Sequence, residues 1–314
     1  MRQSSVYAAI AFAAVIRMGC MHTEKTAAAS QTQNNPSSIA AFNYGQPKEL
    51  CRLKDDRINE SSGIAASWRN KDAFWTNNDS GDSARIFLFS KGGDTIAVVN
   101  IKGVSAIDWE DIASFRFGKD CYVLIADVGD NTKMRKNCVL YIVREPVISM
   151  NAENKEVLSI EVEPVLIISF IYEDGPHNCE SAAVDPTQSA IYLVSKEAGE
   201  CKVYSMPIPS KGSKQPNVAK PIATLMLPET TAMDISFDGM RAVILTYGDA
   251  YEFARANTET WAQAFSREPR KIKMPPRKQG ESICYGPDGK TLYLTSENKS
   301  QPLWEIPAIE KGKQ

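Results

Sequence analysis

One short pattern recurs along the chain, and its spacing limits the fold more than any other feature. The clearest copy reads DWEDIA at Asp108–Ala113, where acidic residues precede an apolar pair. A recurrence near 50 residues is typical of propeller blades and related repeat architectures. The apolar position of each copy falls at Ile64, Ile112, Ala182, Ile235 and Ile283, so that the separations are 48, 70, 53 and 48 residues.

Strand-like segments accompany every copy of the pattern. Two apolar, β-branched and aromatic segments follow each copy, and another precedes the next copy, with turn residues such as Asp238-Gly239 between them. Four strands per repeat, joined by short connections, predict an all-β fold. We therefore predict a β-propeller of four-stranded antiparallel blades.

The ends of the chain indicate how such a ring would close. The last repeat ends near Ile309 after three strands, and a spare strand, Leu50–Ile58, precedes the first repeat. Pairing of this N-terminal strand with the last blade would remove the open strand edges. We favour five blades and interpret the extra stretch Glu145–Pro164 as an added hairpin on the second blade; six blades are the alternative.

The N-terminus has the features of a targeting segment. A positive start at Met1-Arg2 precedes the apolar run Val6–Ile16, which predicts a signal peptide over residues 1–20. Cys20 follows a glycine, as in lipoprotein cleavage sites, so a lipid anchor is one outcome and cleavage at Ala27–Ala29 without an anchor is the other. Residues 21–46 are predicted to be a flexible tether and residues 47–310 a single propeller domain. We expect an exported protein, periplasmic or at the cell surface.

Composition excludes some partners and leaves others open. The 314 residues are 43% hydrophobic and carry a net charge of −2, so nothing indicates a nucleic-acid-binding surface. Six cysteines lie beyond Cys20, an even number that would suit disulfides in an oxidising compartment, although 15 pairings are possible and Cys284 could be a free thiol. They are Cys51, Cys121, Cys138, Cys179, Cys201 and Cys284.

Acidic residues of the repeated pattern should meet at one mouth of the channel, because innermost strands line the axis of a propeller. We predict that Asp108, Glu110 and Asp111 bind a metal ion, with Ca²⁺ as the candidate since it prefers several oxygen ligands. In the alternative interpretation, such carboxylates accept backbone N–H bonds and join neighbouring blades. The polar ends of the second strands should share this face, and the predicted ligand-binding residues are Asn78, Asp79, Asp127, Glu180, Tyr247, Glu281 and Glu297.

Two acidic turns, Asn78–Asp82 and Asp127–Asn131, partly resemble Ca²⁺-binding loops, but neither has the spacing of an EF-hand. Asx-turns with glycine at a positive φ are the alternative explanation. His177 lies just before Glu180 and is a candidate general base, with a hydrogen-bonded loop histidine as the alternative. If the protein is an enzyme, we expect His177, Glu110, Lys196 and Arg135 to take part.

The motifs NDSGD, DWEDIA, ADVGDN, DGPHNCESAAVDP and QGESICYGPDG, in this order, resemble a family of exported bacterial β-propeller proteins of unassigned activity. The resemblance covers about Glu60 to Pro307 and implies the propeller fold and export, but no catalytic residue. The chain is more distantly similar, in blade pattern only, to WD40-like propellers and to phytase-like or esterase-like propellers.

Two functions follow as hypotheses. The first is an exported propeller that binds a ligand, metal ion or protein partner through an acidic central rim without catalysis. The second is a Ca²⁺-dependent hydrolase of phosphoesters or esters, in which rim carboxylates hold the metal that activates water. No GxSxG, HExxH, P-loop or GxGxxG motif accompanies the acidic residues.

Overall fold

The structure is a computed structural model that describes residues 42–148 and 156–311. The predicted signal peptide, Cys20 and the tether up to residue 41 lie outside the described residues. Export and lipid attachment therefore stay predictions. Among the described residues, no helix has the length and apolar character needed to cross a membrane.

Two short strands begin the described chain, and five repeats follow. They are β1 (Phe42–Tyr44) and β2 (Lys48–Arg52); then β3 (Ser61–Ala66), β4 (Ala73–Asn78), β5 (Arg85–Ser90) and β6 (Thr95–Ile101); β7 (Trp109–Phe117), β8 (Asp120–Asp127), β9 (Cys138–Arg144), β10 (Leu158–Val162) and β11 (Leu166–Tyr172); β12 (Cys179–Asp185), β13 (Ala190–Ser195), β14 (Cys201–Pro207) and β15 (Asn217–Leu225); β16 (Thr230–Ile235), β17 (Arg241–Thr246), β18 (Ala250–Ala254), helix α1 (Trp261–Phe265) and β19 (Arg270–Ile272); and β20 (Ser282–Tyr285), β21 (Leu292–Thr295), β22 (Pro302–Ile306) and β23 (Ala308–Glu310).

The first three strands of each repeat pair antiparallel in chain order, which confirms the predicted all-β propeller. The innermost strands are β3, β7, β12, β16 and β20. Each packs against the innermost strands of the repeats before and after it, and β20 packs against β3, so the inner strands surround one axis. Apolar side chains fill the layers between neighbouring sheets, as in the cluster that unites Trp75 of β4 with Trp109 of β7.

The N-terminal strand closes the ring, as predicted. β2 pairs antiparallel with β22, the third strand of the last repeat, with Cys51 opposite Leu303. The strand is shorter than predicted, because after Arg52 the chain leaves the sheet and forms a turn in which the amide of Ile58 donates to the carbonyl of Asp55. A further pair, β1 with β23, was not predicted and lies partly within the range assigned to the tether.

The prediction of a hairpin on the second blade within Glu145–Pro164 is wrong. The strand that this stretch contributes, β10, pairs in parallel with β6 and extends the sheet of the first repeat, with Leu158 opposite Ala97. The outer edge of β6 is the available partner, and Ile160 and Val162 add to the apolar cluster beside it. β11 then takes the outer position of the second repeat beside β9.

The number of blades stays a prediction. Strand order in the described residues fits five four-stranded units, but β11 also pairs in parallel with β15, with Phe170 opposite Asn217. This contact joins the second and third repeats into one eight-stranded sheet.

The six cysteines that would suit disulfides are free thiols in the described residues. All six cysteines of the described residues are unpaired, and five of them are buried. Burial raises the pKa of Cys138 to about 11 and that of Cys179 to about 12, so both remain thiols at neutral pH. They pack as small apolar side chains in the core beside Ala182 and Phe170.

Candidate functional site

Three carboxylates converge at the mouth of the axis where the inner strands begin. Asp79 follows the last residue of β4, Asp108 immediately precedes β7, and Glu110 lies within β7. One oxygen atom from each side chain lies within 4.8 Å of the others. Glu110 is 3% exposed, whereas the other two residues are half-buried. We call these three residues the carboxylate cluster.

A β-bulge at the start of the inner strand explains where Glu110 lies. The pairing of β7 with β8 shifts by one residue between Trp109 and Asp111, which leaves Glu110 as the extra residue. A bulge redirects a side chain that regular pleating would place on one sheet face. The same shift occurs in three other repeats, where the extra residues are Ser62, Glu180 and Thr231.

Gly129 in the ADVGDN motif permits the cluster to form. A β-carbon at this position would lie 2.3 Å from Oε1 of Glu110 and 2.4 Å from Oδ2 of Asp108. Both distances are far below a normal van der Waals contact, so only glycine allows the two carboxylates to approach this backbone. The amide of Gly129 also donates to the carbonyl of Asp108 at 3.2 Å, which fixes the two segments together.

Electrostatic strain accompanies this convergence. Burial, followed by the charge of Asp79, raises the pKa of Asp108 to about 6, and burial raises the pKa of Asp79. The pKa of Glu110 lies well above its usual value because of burial and then the neighbouring carboxylates. Within residues 42–148 and 156–311, none of the three carboxylates forms an ion pair; the nearby cations Arg135 and Lys196 pair with Asp127 and Glu180 instead. Bound protons or a cation would relieve the repulsion.

A chain of hydrogen bonds continues around the same mouth. Nζ of Lys196 lies 2.5 Å from Oε2 of Glu180 and 2.8 Å from the hydroxyl oxygen of Tyr247, which in turn donates to Oε1 of Glu281 at 2.7 Å. Burial raises the pKa of Glu180 to about 7, although Lys196 lowers it. We call Asp79, Asp108, Glu110, Glu180, Glu281 and Glu297 together the acidic rim.

Glu297 is another member of the acidic rim with a raised pKa. Burial and a hydrogen bond with Glu281 raise the pKa of Glu297 to about 9. Its Oε2 also accepts a hydrogen bond of 2.6 Å from Nε2 of Gln279. Burial and the neighbouring Glu281 thus favour the protonated form of Glu297.

Asp111 belongs to a different environment from the other two predicted metal ligands. Its carboxylate is fully buried and accepts hydrogen bonds from the backbone amides of Ile112, Ala182 and Met233 at 2.8, 2.9 and 3.2 Å. It thus connects β7 with β12 and β16. Asp234, in the fourth repeat, has a similar role. It accepts from the amides of Ile235 and Tyr285, both at 2.8 Å, and so connects β16 with β20.

The loops of the mouth are held in place by three other predicted residues, Asn78, Asp127 and Arg135. Oδ1 of Asp127 forms an ion pair of 2.7 Å with Arg135 and accepts a hydrogen bond from the amide of Asp108 at 3.2 Å. Asn78 donates to the carbonyl of Arg57 at 2.7 Å and to Oδ2 of Asp82 at 2.8 Å. These side chains position the residues around the carboxylate cluster.

His177 contacts other acidic residues than those of the cluster. Its Nε2 lies 3.1 Å from Oδ1 of Asp174, and its Nδ1 lies 3.5 Å from Oε1 of Glu197. The imidazole packs against the rings of Tyr172 and Tyr204, each with a centroid separation of 5.3 Å. In the described residues His177 therefore has the contacts of a hydrogen-bonded loop histidine.

Two residues are grouped differently in the structure and in the prediction from the sequence. Asp79 is predicted to bind a ligand and Asp111 to bind the metal ion, whereas in the structure Asp79 lies with Asp108 and Glu110, and Asp111 lies apart from them. The position of Asp79 in the sequence indicates this: Asp79 directly follows β4, which pairs with the inner strand β3, so Asp79 lies at the mouth where β3 begins. The role of Gly129 was also missed, and the glycine inside ADVGDN was the only sign of it.

No protein-family model matches the chain, and no curated protein matches it either. Solved structures of similar shape include a gluconolactonase from Xanthomonas campestris, with 10% identity, 87% of this chain and 93% of that chain covered, and a TM-score of 0.49. A chain of a nidogen/laminin complex has 12% identity, coverages of 78% and 74%, and a TM-score of 0.43. The Dos1 propeller has 10% identity, coverages of 78% and 68%, and a TM-score of 0.38. At these levels of similarity, the fold assignment rests on the strand pairing of the chain itself.

Proposed function

We propose that the protein binds a divalent cation, with Ca²⁺ as the candidate, at Asp79, Asp108 and Glu110, and uses it to hold a ligand or protein partner at the acidic rim without catalysis. The observation that carries this proposal is the approach of three carboxylates to within 4.8 Å. Two of them lie so close to the backbone of Gly129 that any β-carbon there would clash with them. Hard cations prefer such oxygen ligands.

The spacing of the oxygen atoms suits one ion. Ca²⁺ binds oxygen at about 2.3–2.6 Å, so two ligands on opposite sides of the ion lie about 5 Å apart. The three carboxylates supply fewer than the six to eight ligands that Ca²⁺ takes, and water or ligand oxygens would complete the shell. A bound ligand with carboxylate, phosphate or hydroxyl groups would thus enter the coordination shell directly.

The test is calorimetric titration of the purified protein with Ca²⁺. We expect one site in the wild type, at least tenfold weaker binding in Glu110→Gln, and unchanged binding in Glu268→Gln, a matched substitution at an exposed position. Equal affinity in wild type and Glu110→Gln, or no binding to the wild type, would overturn the proposal.

A second candidate is the Ca²⁺-dependent hydrolase of phosphoesters or esters. The observation that favours it is Glu180, whose pKa of about 7 suits a general base at neutral pH. Lys196, 2.5 Å from this carboxylate, would orient an anionic substrate group, while the cation polarised the ester and activated water. Lys196 is the cation of this candidate, whereas His177 pairs with Asp174 and Arg135 with Asp127.

Assays on panels of carboxylic esters and phosphoesters, with Ca²⁺ or with a chelator, separate the two functions. Turnover that chelation and Glu110→Gln both abolish, and that Glu180→Gln reduces at least tenfold, would establish the hydrolase. Ca²⁺ binding without turnover on either panel would favour the binding protein.

Export remains a proposal that rests on the N-terminal sequence alone. We propose a periplasmic or cell-surface protein, with membrane attachment only through a lipid on Cys20. Fractionation of cells that express the full chain tests export, and Cys20→Ser would release a lipid-anchored protein from the membrane fraction.

A further inference from the structure

A cavity lies at the mouth of the axis opposite the carboxylate cluster, where the inner strands end. It has a volume of about 220 Å³. Its lining includes residues just past β3 and β16 and residues within β7 and β20. The residues that matter here are Trp68, Phe115, Arg116, Asp234, Phe237 and Tyr285.

Aromatic rings form much of the wall. The rings of Trp68 and Phe237 meet edge to face, with centroids 5.8 Å apart. Phe237 is 42% exposed, so its ring is accessible to a ligand that packs against it. Phe115 and Tyr285, both buried, complete the aromatic side of the cavity.

The polar groups of this mouth favour a negative ligand. Arg116 is exposed, lies over the indole ring of Trp68 at 4.3 Å, and forms no ion pair with any residue of the described chain. The indole N–H of Trp68 is buried and lacks a hydrogen-bond partner among the described residues. Leaving a buried donor unsatisfied is unfavourable, and an acceptor on a ligand that reached this N–H would relieve the cost.

Asp234 is the acidic residue in the lining, and its oxygens are already engaged. Oδ1 accepts from the amide of Ile235 and Oδ2 accepts from the amide of Tyr285. Beside the lining residues Trp68 and Gly118, the chain carries the exposed cations Arg69 and Lys119. Acidic neighbours of the lining are present too, Asp288, which is exposed, and Asp238, which forms an ion pair with Arg241, so within the lining itself Arg116 is the cation without an ion pair in the described chain.

We propose that this cavity binds small aromatic carboxylates, with the ring against Phe237 and Trp68 and the carboxylate bonded to Arg116. The guanidinium offers paired donors that match a carboxylate, and its stacking on Trp68 holds it in place. A ring that packs against aromatic side chains gains stabilisation beyond the burial of its area. The site is separate from the carboxylate cluster and does not require a metal ion.

The test is calorimetric titration of the full chain with indole-3-acetate, phenylacetate and benzoate, each beside its neutral amide. We expect at least one acid to bind at least tenfold more tightly than its amide, and Arg116→Gln to remove this difference. Phe237→Ala should weaken binding of acid and amide alike. Glu268→Gln, at an exposed position, and chelation of divalent ions should leave the affinity unchanged, and the insensitivity to chelation distinguishes this site from the proposed cation site.

Two outcomes would overturn the inference. One is the absence of binding by all three acids at millimolar concentration. The other is binding that Arg116→Gln and Phe237→Ala leave unchanged. Because Arg116 is exposed, its substitution should preserve the fold, and circular dichroism of each variant checks this. Arg116→Lys, which keeps the charge but not the paired donors, should retain part of the preference for the acid.

Discussion

Glu110 and Asp111 are consecutive, acidic and buried, yet they have opposite surroundings. The carboxylate of Asp111 accepts three backbone N–H bonds from three different inner strands. That of Glu110 receives one weak hydrogen bond, from the hydroxyl of Ser62 at 3.3 Å, and faces other carboxylates. Hydrogen-bond satisfaction, not burial, thus separates an acidic residue that holds the fold from one that is available to a cation.

Repetition supports the same distinction. In the fourth repeat, Asp234 likewise accepts from two backbone amides, one on its own strand and one on the next inner strand. The convergence of Asp79, Asp108 and Glu110 has no second copy among the carboxylate groups found within the described residues. A contact that holds neighbouring strands together is useful in more than one repeat, whereas a central binding site needs to form once.

The largest effect should follow from Asp111→Ala. Three buried amides would lose their acceptor, and each unsatisfied donor costs about 1–3 kcal/mol, so we expect a loss of about 3–5 kcal/mol in the free energy of unfolding. Denaturation in urea measures it. Asp56→Ala, at an exposed position, is the control and should change stability by less than about 0.5 kcal/mol. A small effect of Asp111→Ala would contradict the structural role.

Gly129→Ala should damage both regions at once. The added methyl group must displace Glu110 and Asp108, and such overpacking costs about 1–3 kcal/mol. Because the cluster would spread apart, Ca²⁺ affinity should also fall at least tenfold in the same calorimetric titration. Gly199→Ala is the matched control, since a β-carbon there meets no atom within 4 Å. Unchanged Ca²⁺ binding in Gly129→Ala would separate the glycine from the site.

The acidic rim should make stability depend on pH. Folding raises the pKa of Asp108 to about 6 and that of Glu180 to about 7, above unfolded values of about 4. The folded state therefore binds more protons, and its stability is highest below pH 4 for these groups and falls as the pH rises through 6 and 7. Each kcal/mol lost would lower the melting temperature by about 2–4 °C in a chain of this size.

Melting temperatures at pH 5 to 8, with chelator or with Ca²⁺, measure this dependence. Above pH 6, Ca²⁺ should raise the melting temperature, because the ion takes the place of the protons that the carboxylates have lost. Glu110→Gln should reduce this increase. A decline that Ca²⁺ does not alter would argue against a cation at the cluster.

The smallest effect is expected for Tyr247→Phe. The substitution removes the hydroxyl between Lys196 and Glu281 on a residue that is 37% exposed, and the expected loss of stability is about 0.5–1.5 kcal/mol. Ca²⁺ affinity should stay close to that of the wild type, because Tyr247 is outside the cluster. Tyr251→Phe, whose hydroxyl has no hydrogen bond within the described residues, is the control. A strong loss of Ca²⁺ affinity in Tyr247→Phe would extend the cation site to the rest of the rim.

The fold class was predictable because it depends on a pattern repeated five times, so that a misjudged strand in one repeat is corrected by the others. The stretch Glu145–Pro164 occurs once, and its pairing with β6 depends on an open edge in a different repeat that the local sequence does not reveal. The same reasoning explains β1, which is defined by a partner more than 260 residues away.

The candidate site was only partly predictable, since one residue of register decides which way a side chain faces. Without the bulge beside Trp109, neither the position of Glu110 nor that of Asp111 follows from the sequence DWED. The mouth and most of its residues were predicted from the repeat. That Asp111 lies apart from Asp79, although both are acidic residues near the mouth, could be learned only from the three-dimensional structure.

The pairing of β2 with β22 also has a consequence for the order of folding. Lys48 lies opposite Glu305, so the ring cannot be completed until nearly the whole chain has been synthesised. Contacts of such long sequence separation form slowly, and until then the outer edge of the last repeat is an unpaired strand. A chain that loses its last strands should therefore leave β2 without a partner at one end and the first repeat without a neighbour at the other.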